Sequence, residues 1–261
     1  MVTPAEAQSF DRVAETYDRL GDLNTEGLIG SWLEGLLPAA GGQALDLGCG
    51  TGRHAVLLAG RFEQVDAIDL SGPMIDLATK RRSRPNITYR QADLHHIDGV
   101  GQYDFVLSVL TLHHVPDLHA ALSHIKTLLA PGGRAVVMDM YPPESSLCPP
   151  QWVLRRMVHR VVPLRPRLHA LGVQKLSVNL VRRGAATAWE IYRLSTCGEW
   201  LDHRVTDRFF SRPELECSCQ ALFPGYRFDI LGGPRGIGLV WDAPRGTTAG
   251  EPSAANGDAV A

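Results

Sequence analysis

Ala44-Leu45-Asp46-Leu47-Gly48-Cys49-Gly50-Thr51-Gly52 decides the fold of this chain. An apolar run carrying one acid, Asp46, enters three glycines at alternate positions, and Arg53-His54-Ala55-Val56-Leu57-Leu58-Ala59 then reads as helix. Glycine has no Cβ, so the backbone there can turn sharply and lie directly against a ligand. Strand, glycine turn and helix N-terminus, in that order, build a nucleoside pocket at the carboxyl end of a parallel strand. Dinucleotide folds also place a glycine-rich turn here, but with G-x-G-x-x-G spacing and without an acid two positions before the first glycine.

The stretches that follow repeat the pattern. Gln64-Val65-Asp66-Ala67-Ile68-Asp69 ends a second apolar run on a carboxylate, and an acid about 20 residues past the glycines can accept both ribose hydroxyls of an adenosine. Ser71 reads as the N-cap of the next helix, with Pro73 in its first turn. A third strand over 86–91 leads to Ala92-Asp93-Leu94, and a fourth, Asp104–Val109, is followed by Leu110-Thr111-Leu112-His113-His114. Leu128–Gly133 reads as a helix stop and turn before a fifth strand over 134–139. Apolar runs alternating with helical stretches at this rhythm mean βαβ units and a parallel sheet. Further on, Ser211 with Pro213 and Glu214 marks another helix start. Strand-like runs at 226–231 and 238–241 close the pattern, and no internal repeat is visible.

Asp46-x-Gly48-x-Gly50-x-Gly52 is similar to motif I, D-x-G-x-G-x-G, of the class I S-adenosylmethionine-dependent methyltransferases, and the later strands carry acids in the family's order. The resemblance spans roughly residues 10–140 and is to the small-molecule type. It implies an α/β fold: a Rossmann-like seven-stranded, mostly parallel sheet with flanking helices, an antiparallel last strand and a helical lid inserted after the fifth strand. It divides the chain into N-terminal cap helices (1–36), a cofactor-binding core (37–141), a substrate lid (142–205), a last helix and strand pair (206–244) and a disordered tail (245–261). The implied cofactor is S-adenosyl-L-methionine, leaving S-adenosyl-L-homocysteine, with no metal.

Carried over residue by residue, the cofactor set is Tyr17, Asp46, Gly48, Cys49, Gly50, Gly52, Asp69, Leu70, Met74, Asp93, Leu94, Ser108 and Val109. Met74 would lie on the adenine face, Asp93 would accept the adenine amino hydrogens, and the Leu94 N–H would meet a ring nitrogen. Phe10-Asp11-Arg12-Val13-Ala14-Glu15-Thr16-Tyr17-Asp18 resembles the F-D-x-x-A-x-x-Y-D segment that folds over the cofactor in many such enzymes. Tyr17 would close the site, and a tyrosine beside a sulfonium is worth about 0.5–2 kcal/mol when desolvated. Arg12 is a candidate partner for the cofactor's carboxylate.

Composition narrows the class. At 261 residues and 44% hydrophobic, the chain can bury one substantial core. A net charge of −2 gives no general attraction to nucleic acid. No stretch is apolar enough to cross a membrane, and the start lacks a signal-peptide pattern, so the expected location is the cytoplasm. Five cysteines do not make a disulfide framework. Cys217-Ser218-Cys219 lacks a second ligand pair for zinc.

The segment 142–200 is the least family-like. Leu154, Met157, Val158 and Val161 fall on one helical face, while Arg155, Arg156, His159 and Arg160 fall away from it. From Ser145 through Trp189 there is no Asp or Glu. Such basicity suits an anionic small-molecule acceptor, an acidic carrier protein or a membrane surface. Arg155, Arg156, Trp200 and Tyr141 are the candidate residues of the substrate lid.

Methyl transfer needs orientation and, for a hydroxyl or acidic carbon, removal of one proton. His113 and His114, after the fourth strand, are the first candidates for that proton, and His203 beside Trp200 is another. Asp139 and Tyr141 would line the acceptor pocket. The chain lacks the Asn/Asp-Pro-Pro-aromatic run of exocyclic-nitrogen nucleic-acid methyltransferases and any appended nucleic-acid module. The expected function is therefore O- or C-methylation, in preference to N-, of a small organic acceptor, as in specialised biosynthesis. Three alternatives stand beside it: a non-methylating S-adenosylmethionine-binding protein, a methyltransferase of a carrier-bound or macromolecular substrate, and a nicotinamide oxidoreductase. The last is disfavoured by the glycine spacing and by the absence of a Tyr-x-x-x-Lys pair.

Overall fold

A computed structural model describes residues 4–23, 28–97, 99, 101–140, 173, 176–205, 210–231 and 236–245. Seven strands form one sheet in the order β3-β2-β1-β4-β5-β7-β6: β1 Gly41–Leu47, β2 Phe62–Asp69, β3 Ile87–Gln91, β4 Tyr103–Val109, β5 Leu129–Met140, β6 Arg227–Leu231 and β7 Gly236–Asp242. The first five pair in parallel, and β7 runs antiparallel to both β5 and β6. Strand order reverses between β1 and β4, and in open α/β sheets that switch point is where a crevice opens beyond the carboxyl ends.

The central strands are buried on both faces, as parallel sheets require. In β1, Ala44, Leu45, Asp46 and Leu47 all sit at or below 1% exposure. One face packs Leu45, Val106 and Val137 against helix α5, Leu118–Leu128, and the other packs Ala44, Phe105 and Val136 with α3, Arg53–Ala59. Fully burying one such aliphatic side chain contributes about 1.5–3 kcal/mol.

Helix starts follow their local chemistry. Ser71 caps α4, Gly72–Arg82, by accepting the Met74 N–H at 3.3 Å, and Pro73 sits where its missing N–H costs nothing. Asp117 caps α5 from the Ala120 N–H. Ser211 and Glu214 form a complete capping box on the last helix, Arg212–Leu222.

The turn expected at Leu128–Gly133 lies instead inside one long strand. Leu129 pairs with Tyr103 and Arg134 with Phe105, so the residues between them bulge out of the ladder. The bulge keeps its backbone satisfied on the far side, where Gly132 donates to the Pro244 carbonyl and Gly133 accepts from Ala243.

Two helices precede the sheet, α1 Pro4–Leu23 and α2 Leu28–Glu34. Between β5 and β6 the described residues are helical over 176–183, then in α6, Ala185–Ser195, and α7, Gly198–Val205. Helix α1 packs on α4, α6 and α7. Its Phe10, Ala14 and Tyr17 meet Met74 and Leu77, while Leu20 meets Ile191, Leu194 and Trp200. Segment 142–172, the amphipathic stretch 154–161 and the tail 246–261 lie outside the described residues. No described helix is long and apolar enough to cross a membrane.

Candidate active site

Beyond the carboxyl ends of the strands lies a cavity of roughly 970 Å³, counting its open mouth. One end is lined by Gly48, Gly50, Asp69, Leu70, Asp93 and Leu94, the other by Phe10, His113, His114, Trp200, His203 and Arg204. Tyr17, Met74 and Val109 also face it.

The first end is made of backbone and acids. Gly48 and Gly50 hold positive φ, +69° and +52°, a region that side chains strain to enter. A Cβ on Gly48 would collide with Thr111, and one on Gly50 would enter the space beside the Tyr17 ring at 3.4 Å. Asp69 clamps the turn. Its carboxylate accepts the Gly50 N–H at 2.8 Å and the Ser71 N–H at 2.9 Å. A carboxylate offers about four lone-pair sites, and the Leu70 N–H bonds to it as well, so one remains for a further donor.

Asp46 sits behind the turn at 1% exposure, and its Oδ2 has no hydrogen-bond partner. Burial, then the charge of Asp69, pushes its pKa up to about 7. Burial also raises Asp69, against the pull of the Ser71 and Gly50 N–H groups. Two desolvated acids held above their ordinary range are relieved by a positively charged ligand. That donor set, with the cradle at Gly50, fits S-adenosylmethionine, whose sulfonium and amino groups are both cationic.

The second end is made of rings. After β4, Leu110 takes φ +55°, the one positive value at a non-glycine among the described residues. Such strain tends to cluster at functional sites. The kink carries Thr111 over Gly48, and a single 3-10 turn, Leu112–His114, presents both histidines. His113 is buried. Its Nδ1 lies 2.7 Å from Asp139 Oδ1, and its backbone N–H donates to Asp139 Oδ2 at 3.0 Å. A carboxylate only accepts, so Nδ1 carries the hydrogen of this contact.

His114 stacks on His113 with ring centroids 3.9 Å apart, and Phe10 meets His114 and His203 edge-on at 4.7 and 4.5 Å. Trp200 lies 5.5 Å from His203 and 6.3 Å from Tyr17. Burial first, then neighbouring His113, His203 and Arg204, lowers the His114 pKa to about 2. Burial and Arg204 bring His203 to about 4. Both are neutral near pH 7.

The structure thus gathers Tyr17, Gly48, Gly50, Asp69, Leu70, Met74, Asp93, Leu94, Val109, His113, His114, Trp200 and His203 around one cavity. Asp46, Cys49, Gly52 and Ser108 are not among the residues that line it. Arg12 is exposed and outside the lining. Asp139 does not line this cavity either: its carboxylate is turned onto His113, where two donors hold it. Tyr141, Arg155 and Arg156 lie outside the described residues. Cys217 and Cys219 are free thiols, and no metal-binding cluster occurs among the described residues.

Phe10, Thr111 and the orienting role of Asp139 were missed by sequence reasoning. The signal for Asp139 was available, since an acid ending the fifth strand stands level with the histidines after the fourth.

A family model described as a methyltransferase domain matches residues 45–137. The chain is 30% identical over 180 residues to a demethylmenaquinone methyltransferase of Lactiplantibacillus plantarum, covering 64% of this chain and 75% of that protein. It is 34% identical over 160 residues to a 2-phytyl-1,4-naphtoquinone methyltransferase of Thermosynechococcus vestitus, covering 57% and 71%. Among solved structures, a DhpI–SAH complex shares the fold with a TM-score of 0.59 at 21% identity, over 92% of this chain and 96% of that one. With the glycine turn, the strand-end acids and these relatives together, the chain belongs to the class I S-adenosylmethionine-dependent methyltransferases.

Proposed function

We propose that this methyltransferase acts on oxygen or acidic carbon of a small organic acceptor, with His113 as the base. The observation that carries the reading is the buried His113–Asp139 pair, set in an aromatic wall across the cavity from the glycine turn.

When bound, S-adenosylmethionine supplies a methyl group on a sulfonium that is already electrophilic. The chain's own residues do the rest. Gly48 and Gly50 leave the backbone open to the ligand; Asp69 would offer its remaining lone pair to a ribose hydroxyl, Asp93 and Leu94 would hold the adenine, and Tyr17 and Met74 would cover it. At the other end, Phe10, Trp200 and His203 exclude water and hold an apolar acceptor close, which converts an encounter into an oriented approach. His113 takes the acceptor proton on Nε2. Asp139 fixes the ring's tautomer and stabilises the imidazolium that forms. His114 and His203 are poorer bases, because burial opposes their charged forms.

Two relatives are named for demethylmenaquinone and 2-phytyl-1,4-naphtoquinone, both small organic molecules, which supports an acceptor of that size.

The test is to incubate the protein with methyl-labelled S-adenosylmethionine and fractionated cell extract, then follow the label by mass spectrometry. The label is expected in a small metabolite methylated on oxygen or carbon. Label confined to protein or nucleic acid, or no transfer despite tight cofactor binding, overturns the proposal.

A further inference from the structure

Helix α1 carries an acidic stripe. Asp11, Glu15, Asp18 and Asp22 follow one another at four-, three- and four-residue steps, which puts them on one face. That face meets the cofactor turn and the end of α4. Ser71 Oγ donates to Asp11 at 2.6 Å, Arg81 pairs with Glu15 at 2.9 Å, and Arg53 pairs with Asp22 at 2.5 Å.

Asp18 is the centre of this contact and is fully buried. Its Oδ1 accepts the Thr51 hydroxyl at 2.7 Å, Arg82 at 2.7 Å and Arg53 at 3.1 Å, and its Oδ2 accepts Arg81. Its own carbonyl accepts Arg53 at 2.6 Å. Thr51 lies between Gly50 and Gly52 in the turn, and its carbonyl accepts Arg82 at 2.8 Å.

One side chain therefore ties α1 to the glycine turn and to two further elements. The residue before it, Tyr17, lies against Gly50 and lines the cavity. Val13 and Ala14 flank this contact and are buried as well, at 1% and 3% exposure. Charge-assisted hydrogen bonds are the strong and directional kind.

We infer that Asp18 is a positioning residue that fixes Tyr17 over the glycine turn, so that α1 retains the bound nucleoside. The inference rests on reading the cavity as the cofactor site. Burial alone would raise the Asp18 carboxyl, but the hydrogen bonds from Thr51, Arg81 and Arg82 outweigh it and hold its pKa at about 2. The tie is charged at every working pH.

The test is the dissociation rate of S-adenosylhomocysteine, measured by rapid mixing for the full chain, D18N, Y17A and the double variant. D18N should release the ligand about ten- to a hundredfold faster, the scale of lost hydrogen bonds to a charged group. In the Y17A background, D18N should add little further acceleration, because Asp18 acts through that ring. Equal effects in both backgrounds overturn the role, since a merely structural acid would act regardless of Tyr17. If D18N fails to fold, R81M removes one half-exposed partner and is expected to show the same dependence on Tyr17, in smaller measure. Absence of ligand binding by the unaltered chain overturns the cofactor reading, and this role with it.

Discussion

The two ends of the cavity both carry buried titratable groups, yet they answer burial in opposite directions. At the glycine-turn end, Asp46 and Asp69 are pushed upward, toward the protonated acid. At the ring end, His114 and His203 are pushed downward, toward the neutral imidazole. Desolvation disfavours charge of either sign, so each end is left wanting what the other lacks. The acids favour a cationic ligand beside them. The histidines favour apolar or flat company, except at His113, where Asp139 supplies the counter-charge.

The same contrast shapes the pH response of the empty chain. Asp46 binds its proton more tightly folded, near 7, than at the ordinary value of 3.8, so its contribution to stability falls as pH rises from 3.8 through 7. His203 works the other way. Its folded value near 4 lies below 6.5, so stability is lost as pH falls through 6.5 toward 4.

The largest expected effect lies at the ring end. His113→Ala should lower kcat about 10²–10⁴-fold, the usual range for a lost general base, with cofactor affinity nearly unchanged by calorimetry. Should His114→Ala or His203→Ala cost as much or more, the assignment of the base moves with it. An intermediate effect is expected at the other end. Asp69→Ala should weaken S-adenosylhomocysteine by about 1.5–3 kcal/mol, through lost ligand contacts and a released Gly50 N–H. Equal affinity in a variant with an unchanged circular dichroism spectrum would put the nucleoside elsewhere.

The smallest effect is the sharpest discriminator between the two ends. A cation placed near Asp46 lowers its pKa, so binding of S-adenosylmethionine at pH 6.5 should release a fraction of a proton. S-adenosylhomocysteine, without the sulfonium charge, should release less, and at pH 8.5 neither should release any from this group. Calorimetry in buffers of different ionisation enthalpy measures the difference. Proton uptake in place of release would mean that titration at the histidine end dominates.

The contrast also explains what could be read in advance. The glycine-turn end was legible because it is built from successive strands: Asp46 sits in the run that enters the glycines, Asp69 ends the second strand, Asp93 follows the third, and glycine spacing sets the turn. Local chemistry marked Ser71 and Ser211 as caps for the same reason. The ring end was legible only in part, because its wall comes from three distant segments. His113 and His114 were visible after β4, but their partners depend on tertiary placement. Asp139 looked like a pocket-facing acid and is instead turned onto His113. Arg12 looked available to a carboxylate, but it is exposed, while three other arginines converge on Asp18. The acidic stripe of α1 was present in the residues from the start. It was hidden by the overall charge of −2, which averages such faces away.

Trp200 has a consequence of another kind. It is the one tryptophan among the described residues that lines the cavity, with Tyr17 and His203 both within 6.3 Å. Indole emission responds to nearby polarity and is quenched by a protonated imidazole or by electron-poor stacked rings. The molecule thus contains its own optical reporter, placed in the wall of the cavity. Changes in its emission colour and lifetime would follow ligand arrival at that end in real time, with no dye attached and no turnover required.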